Sequence, residues 1–284
     1  MPKTYYESAH TGPTIDRAVG ALAALMTPDH AGKSLCVAPD GGLAAGEPQL
    51  RPGAAAHNSL VRGDPLGASL TDAQAAAIAD GSFAGLCLGD YWTDSQGTNW
   101  RIHAFDYFYR AGHPEARVGH NLVIVPDTAL YTAAVNAAAT TDGGWVAMDL
   151  YKTGLANALT RAQAVFGSHI LTHPTYLTNA VTGGVPTSAN WKTEKVNLMT
   201  EEMIFGCSIL RPVAAGANAA GNVRVEAFQL PLLRFAPEFA RTGESYWLRD
   251  VSGAQRFCRV YLTGTASDSL VTEKNGVRPF FVVG

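Results

Sequence analysis

"RFCRVYLTG" at residues 256–264 and "GVRPFFVVG" at residues 276–284 decide how this chain is read. In the first, Cys258 and Val260 alternate with Arg259 and Tyr261. Successive side chains on a strand point to opposite faces, so one set is expected in the core and the other in water. The second closes the chain as an apolar strand interrupted by Arg278. Arg249 sits in a similar block, "YWLRDV". A guanidinium in such surroundings must be paired or well hydrogen-bonded, with Asp250 or backbone carbonyls as the expected partners.

Working outward, residues 12–26 ("GPTIDRAVGALAALM") read as a helix, with Pro13 at its first turn and Pro28 ending it. Ile15, Val19, Leu22 and Met26 recur at spacings of four, three and four and form one apolar stripe. Two readings stand: the stripe packs on its own chain, or it is a seam between identical subunits. Residues 27–56 are rich in Ala, Gly and Pro, which suggests an irregular connector or a short strand pair and places a boundary there. In "TDAQAAAIAD" (71–80), Thr71 and Gln74 have capping-box spacing, and Gly81 is the expected stop. The polar turn around Asp94–Asn99 suggests a hairpin, Leu122–Val125 a buried strand. Residues 150–167 read as a helix with Leu155, Leu159, Ala162 and Phe166 on one face. "KVNLMTEEMIFG" combines a short strand with a turn of helix. Helices and strands mix without a βαβ series, so the fold class is α+β.

Composition narrows the function. The 284 residues are 47% hydrophobic and 16% charged, with a net charge of -3. That supports a real core and gives no basic footprint for nucleic acid. No apolar run is long enough for a membrane span, and the opening residues lack a secretory signal. Cys36, Cys87, Cys207 and Cys258 form no C-x-x-C pair and read as reduced, mostly buried thiols.

Motifs for catalysis are sparse. His169 and His173 stand four apart in "HILTH", but Ile170 occupies the place of a metalloprotease glutamate and Pro174 follows at once. They read as polar loop or cap residues. Glu201 and Glu202 are adjacent and point in different directions, so no paired acid and base is expected. "GANAAGN" at 216–222 is not a phosphate loop, and no G-x-S-x-G elbow exists. Trp92, Trp100 and Trp247 read as scaffold. No catalytic residue, metal or cofactor is expected.

The blocks "HNSLVRGDPLGASLTDAQ", "GDYWTDSQGTNWRIHAFDYF", "LVIVPDTALYT", "VNLMTEEMIFG", "QLPLLRFAPEF", "YWLRDVSGAQRFCRVYLTG" and "NGVRPFFVV" occur in order. Together they resemble a widespread bacteriophage and prophage domain family of unassigned function. The resemblance covers residues 57–284 and implies a C-type-lectin-like, sulfatase-modifying-factor-like fold, preceded by an attachment segment over 1–56. "YYESAHTGPTIDRAVG" also resembles N-terminal segments of phage fibre proteins. The implied role is a virion-surface fibre or decoration protein, made in the bacterial cytoplasm, forming a homo-oligomer, with a trimer favoured. Its partners are then other virion proteins and a host cell-surface protein or glycan. Some lectin-fold phage proteins are varied near the C-terminus by diversity-generating retroelements. On that plan Arg259, Tyr261, Leu262, Thr263, Thr265, Asp268, Leu270, Thr272 and Lys274 form a ligand-binding loop set on a fixed frame; the other reading is an ordinary polar loop. Relatives with sulfatase-modifying activity use a cysteine pair, whereas Cys258 has no partner nearby in sequence. No acidic cluster near the C-terminus suits calcium.

Overall fold

The computed structural model describes residues 12–25, 34–37, 43–46, 53–112, 117–212 and 225–284. It divides into two compact units, Met1–Arg51 and Pro52–Gly284. No helix among the described residues is long and apolar enough to cross a membrane. The first unit holds helix α1 (Gly12–Leu25) and the antiparallel pair β1 (Ser34–Val37) and β2 (Leu43–Gly46). On α1, Val19 and Leu22 are exposed. Ile15 belongs to the helix, but its side chain lies outside the described set, as does all of Met26.

The second unit is α+β and mostly β. Its chain runs through α2 (Ala54–His57), α3 (Asp72–Ala79), β3 (Tyr91–Thr93), β4 (Asn99–Phe105), β5 (Leu122–Pro126) and β6 (Tyr131–Ala133). Then come α4 (Ala156–Phe166), β7 (His173–Thr182), β8 (Val185–Glu194), β9 (Asn197–Leu198), α5 (Glu201–Phe205) and α6 (Pro231–Phe235). The chain closes with β10 (Tyr246–Gly253), β11 (Arg256–Val260), β12 (Ala266–Leu270), β13 (Asn275–Val277) and β14 (Pro279–Val283). Local chemistry sets several boundaries. Thr71 and Gln74 form the reciprocal capping box that starts α3, which satisfies amide groups the first turn leaves unpaired. A five-residue π-turn, Leu150–Gly154, leads into α4, so the expected single helix is split.

Two five-stranded sheets result, ordered β3-β4-β5-β14-β9 and β12-β11-β10-β13-β6. The chain changes sheet from β5 to β6, returns by way of the hairpin β7–β8 to β9, leaves again for β10 and crosses last from β13 to β14. Arg278 stands at the last crossing and ties it to the first. It is fully buried, donates from Nε to the Pro126 carbonyl at 2.7 Å and from a terminal nitrogen to the Tyr246 hydroxyl at 3.1 Å. Its partners are thus a backbone carbonyl, one of the two kinds expected, and a phenol oxygen.

Alternation distributes the apolar residues among three layers. On β14, Phe281 and Val283 face a cluster with Trp92, Trp100, Ile78 and Phe166, beneath α3 and α4. Phe280 and Val282 face the other way, where Val123 and Val125 meet Tyr246, Leu248, Cys258 and Val260 between the sheets. The outer face of the second sheet contributes Trp247, Val251, Phe257 and Val277 to a third cluster with Trp145 and Leu177. Strands buried on both faces read as continuous apolar runs, which is why β14 shows no polar alternation.

The hairpin β7–β8 covers this third cluster. Its turn is Gly183–Gly184, and Gly184 has φ +83 while its backbone presses on Gly253 and Ala254 of the β10–β11 turn. Any side chain there would need both a strained backbone and space already filled. His173 opens the hairpin fully buried, with Phe108 and Phe280 at ring-centroid distances of 4.7 and 5.2 Å. This corrects the loop-or-cap reading of the HILTH segment for His173, while His169 is half-buried against the Gly284 carbonyl. Burial pulls the His173 pKa down to about 3, outweighing the Leu171 carbonyl, which acts in the opposite sense.

A depressed histidine contributes stability that is complete above the unfolded value near 6.5 and is lost as pH falls toward 3. His173→Phe is expected to remove about 2 kcal/mol of the wild-type loss between pH 7.5 and pH 5. Denaturant unfolding at the two pH values measures it; equal pH sensitivity in both proteins would show that His173 is not the buried neutral group.

Candidate functional site

Buried and solvent-facing residues alternate at the end of β11. Cys258 and Val260 are fully buried, Arg259 is half-buried and Tyr261 is exposed, as strand alternation dictates. Residues 261–265 form a tight turn in which the Tyr261 amide donates to the Thr265 carbonyl at 2.8 Å. Tyr261, Leu262, Thr263 and Thr265 are exposed at this turn, and Thr272 and Lys274 are exposed on the segment leading into β13.

Arg259 joins these two segments. Its Nε donates to Ser267 at 3.4 Å, and one terminal nitrogen donates to Ser269 at 3.4 Å and to Asn275 Oδ1 at 2.9 Å. The guanidinium carbon lies 5.5 Å from the Tyr261 ring centroid. Ser269 in turn donates to Glu273. Asp268 and Leu270 do not join this group. They alternate with Ser267 and Ser269 on β12, so they project from its other face, where Asp268 pairs with Arg256 at 2.8 Å. Ser267 and Asn275 were not read from the sequence, and Ser269 and Glu273 lay inside the candidate stretch 268–274 without being singled out. The alternation in "ASDSL", taken with the Arg259–Ser267 register, is the signal that points to the two serines.

A second polar assembly lies inside. The N-cap Thr200 accepts from the Met203 amide at 3.1 Å and so starts the short helix α5, whose first residues are Glu201 and Glu202. Both are buried. The Glu201 carboxylate accepts from the backbone amides of Ile209, Leu210 and Arg211 at 2.9–3.1 Å. Glu202 accepts from Arg211 and from Ser208. Asp250 accepts the Glu201 amide at 2.7 Å and lies 3.7 Å from Arg211. Arg249 pairs with Glu226 at 3.2 Å, not with Asp250 as the sequence suggested. The two adjacent glutamates do point apart, yet the fold gathers both into one buried network. Burial pushes the Asp250 carboxyl up to about 6, with Arg211 opposing and Glu202 reinforcing the rise. A small cleft beside this network is lined by Trp145, Thr178, Thr200, Arg211, Arg249 and Asp250.

Cys258 is sealed between the sheets, where burial and the carboxylates of Asp250 and Glu201 push its thiol up. A nucleophilic cysteine needs the opposite shift. Cys87 is also buried and Cys207 is exposed, so the described thiols are free and mostly buried, as expected; the side chain of Cys36 lies outside the described set. Trp92, Trp100 and Trp247 are fully buried. No group of three or more His, Cys, Asp or Glu suited to a metal ion occurs among the described residues. No family model, curated protein or solved structure matches the chain.

Removing one member of a buried ion pair strands the other without solvent. Arg249→Met is therefore expected to cost about 3–5 kcal/mol. Arg249→Met with Glu226→Leu is expected to recover much of that loss in urea unfolding. A double variant no more stable than the single one would mean that Glu226 is not the partner whose charge is stranded.

Proposed function

We propose that this protein is a non-enzymatic bacteriophage surface protein whose second unit, a C-type-lectin-like domain, presents the turn around Tyr261 and the segment reaching Lys274 for recognition of a host cell surface. The observation that carries this reading is the contrast in one short stretch. Cys258 and Val260 are fully buried, and Tyr261, Leu262 and Thr263 are exposed immediately after them. A packed frame fixes the backbone while turns carry chemically free side chains. The ordered sequence blocks support the phage and lectin-like assignment. Two sheets linked by chain crossings, with the final strand β14 beside β5, are compatible with it. Retroelement diversification would act on these same turns.

A fluorescent streptavidin tetramer of the full chain, mixed with a panel of whole Gram-negative and Gram-positive cells, tests the reading. Multivalent display converts a weak single contact into measurable retention. Labelling of a subset of strains is expected. The combined substitution Tyr261→Ser, Leu262→Ser and Lys274→Glu should reduce it at least tenfold with an unchanged unfolding temperature. Labelling of no strain, or labelling indifferent to these substitutions, would overturn recognition through this surface.

A second reading, a structural decoration protein, is favoured by Val19 and Leu22, which α1 leaves at 59% and 41% exposure. A second and third copy would cover them, joining virion proteins through a homotrimeric seam. Sedimentation of the full chain as a trimer, and of Val19→Asp with Leu22→Asp as a monomer, is the expected result. A monomeric parent chain would remove the seam.

A further inference from the structure

Arg259 differs from six other arginines of the second unit in what holds it. Arg62, Arg101, Arg161, Arg211, Arg249 and Arg256 each meet a carboxylate. Arg259 meets none among the described residues. Ser267, Ser269 and Asn275, all neutral acceptors, take its Nε and one terminal nitrogen. Its other terminal nitrogen has no hydrogen-bond partner among the described residues. The guanidinium is thus fixed in place with its charge uncompensated. Beside it, the Asn275 Nδ2 is buried and without a partner, although the Oδ1 of the same amide accepts from Arg259.

The charge around it favours an anion. Arg259 and Lys274 supply two positive charges against one from Glu273, because Asp268 is turned to the opposite face and paired with Arg256. Tyr261, 39% exposed, lies against the guanidinium and offers an aromatic face to solvent. The remaining neighbours are hydroxyls: Thr263, Thr265, Ser267 and Ser269. A protein partner of ordinary interface size would need an apolar centre within about 800 Å² on each side. Tyr261 and Leu262 are the exposed large apolar residues of this turn. One aromatic face, several hydroxyls and one open guanidinium suit a sugar ring carrying an acid.

The geometry points to Arg259 as the anchor for the carboxylate of an acidic sugar, with the Tyr261 ring against the sugar's C–H face. This rests on the recognition reading above and names its ligand class. A planar carboxylate can accept from the open terminal nitrogen in a charge-assisted hydrogen bond, and a fixed guanidinium loses little entropy in making it.

The test uses the same tetramer of the full chain on five coated surfaces: polygalacturonate, its methyl ester, a sialylated oligosaccharide, its desialylated form, and a glycerol-phosphate polymer. Retention on at least one carboxylated surface, at least tenfold above its neutral counterpart, is expected. Arg259→Gln should abolish that difference, Arg259→Lys should weaken it several-fold, Tyr261→Phe should preserve it and Tyr261→Ser should reduce it. Unchanged unfolding temperatures certify the variants. Equal retention on acid and neutral forms, indifference to Arg259→Gln, or retention on the phosphate polymer alone would overturn the proposal. If neither carboxylated surface retains the chain while whole cells still bind through Tyr261 and Lys274, the acidic-sugar assignment falls and recognition stands. If cells do not bind either, both fall.

Discussion

Strand β10 carries charge through the interior, and the packing around it depends on how that charge is satisfied. Tyr246, Trp247, Leu248 and Val251 lie in apolar clusters on its two faces, yet Arg249 and Asp250 sit between them at 5% exposure. Desolvating ions costs several kcal/mol each unless partners replace water. The partners come from distant points in sequence: Glu226 for Arg249, the Glu201 amide and Arg211 for Asp250. Satisfying these two residues therefore fixes α5, the 208–211 turn and Glu226 against the sheet. Removing one partner of such a network leaves a buried charge unpaired, whereas replacing both by apolar residues avoids that penalty.

Arg278 plays the corresponding part where the chain passes between sheets. Its contacts are neutral oxygens, so the charge remains uncompensated and is stabilised by the Pro126 carbonyl, the Tyr246 hydroxyl and the Tyr246 ring, 5.0 Å away. The same field acts on His103, which is fully buried nearby; burial first, then Arg278 and Arg101, hold its pKa well below the ordinary value. A neutral imidazole is the one form of His103 that tolerates two adjacent guanidiniums. The crossing is thus specified by electrostatics as well as by packing.

Much of this was legible locally. The Thr71–Gln74 cap, the alternation in β11, the apolar β14 and the helix at residue 12 each rest on interactions within a few residues, and the structure shows those elements. The long hairpin β7–β8 was missed, although Gly183–Gly184 between two ten-residue strands is a hairpin signal. Its outward positions carry polar and aromatic residues without clean alternation, and Trp191 remains 46% exposed. The Glu201–Glu202 network could not be read at all. Adjacent acids are indistinguishable from a solvated pair until Arg211, Glu226 and Asp250 are brought beside them by tertiary contacts. Likewise the candidate site was read as nine positions along one run of chain, residues 259–274. Strand parity divides that run between two faces and replaces Asp268 and Leu270 with Ser267, Ser269 and Asn275.

The frame and the exposed turn are coupled through Arg259. Trp247, paired opposite it on β10, is fully buried and donates its indole N–H to the Ala133 carbonyl on β6. The polar group that reaches solvent is therefore seated on the strands that hold the sheet together. A turn anchored this way can vary in side chain without loss of backbone geometry, because the contacts that set the backbone belong to buried neighbours. The guanidinium itself is the exception. It is held by three neutral acceptors supplied by β12 and the head of β13. An arginine restrained by acceptors that do not cancel its charge keeps its electrostatic reach into solvent, whereas Arg256, paired with Asp268 three positions earlier on the same strand, does not. The surface on this side of β11 is therefore defined by which arginine the fold leaves without a carboxylate.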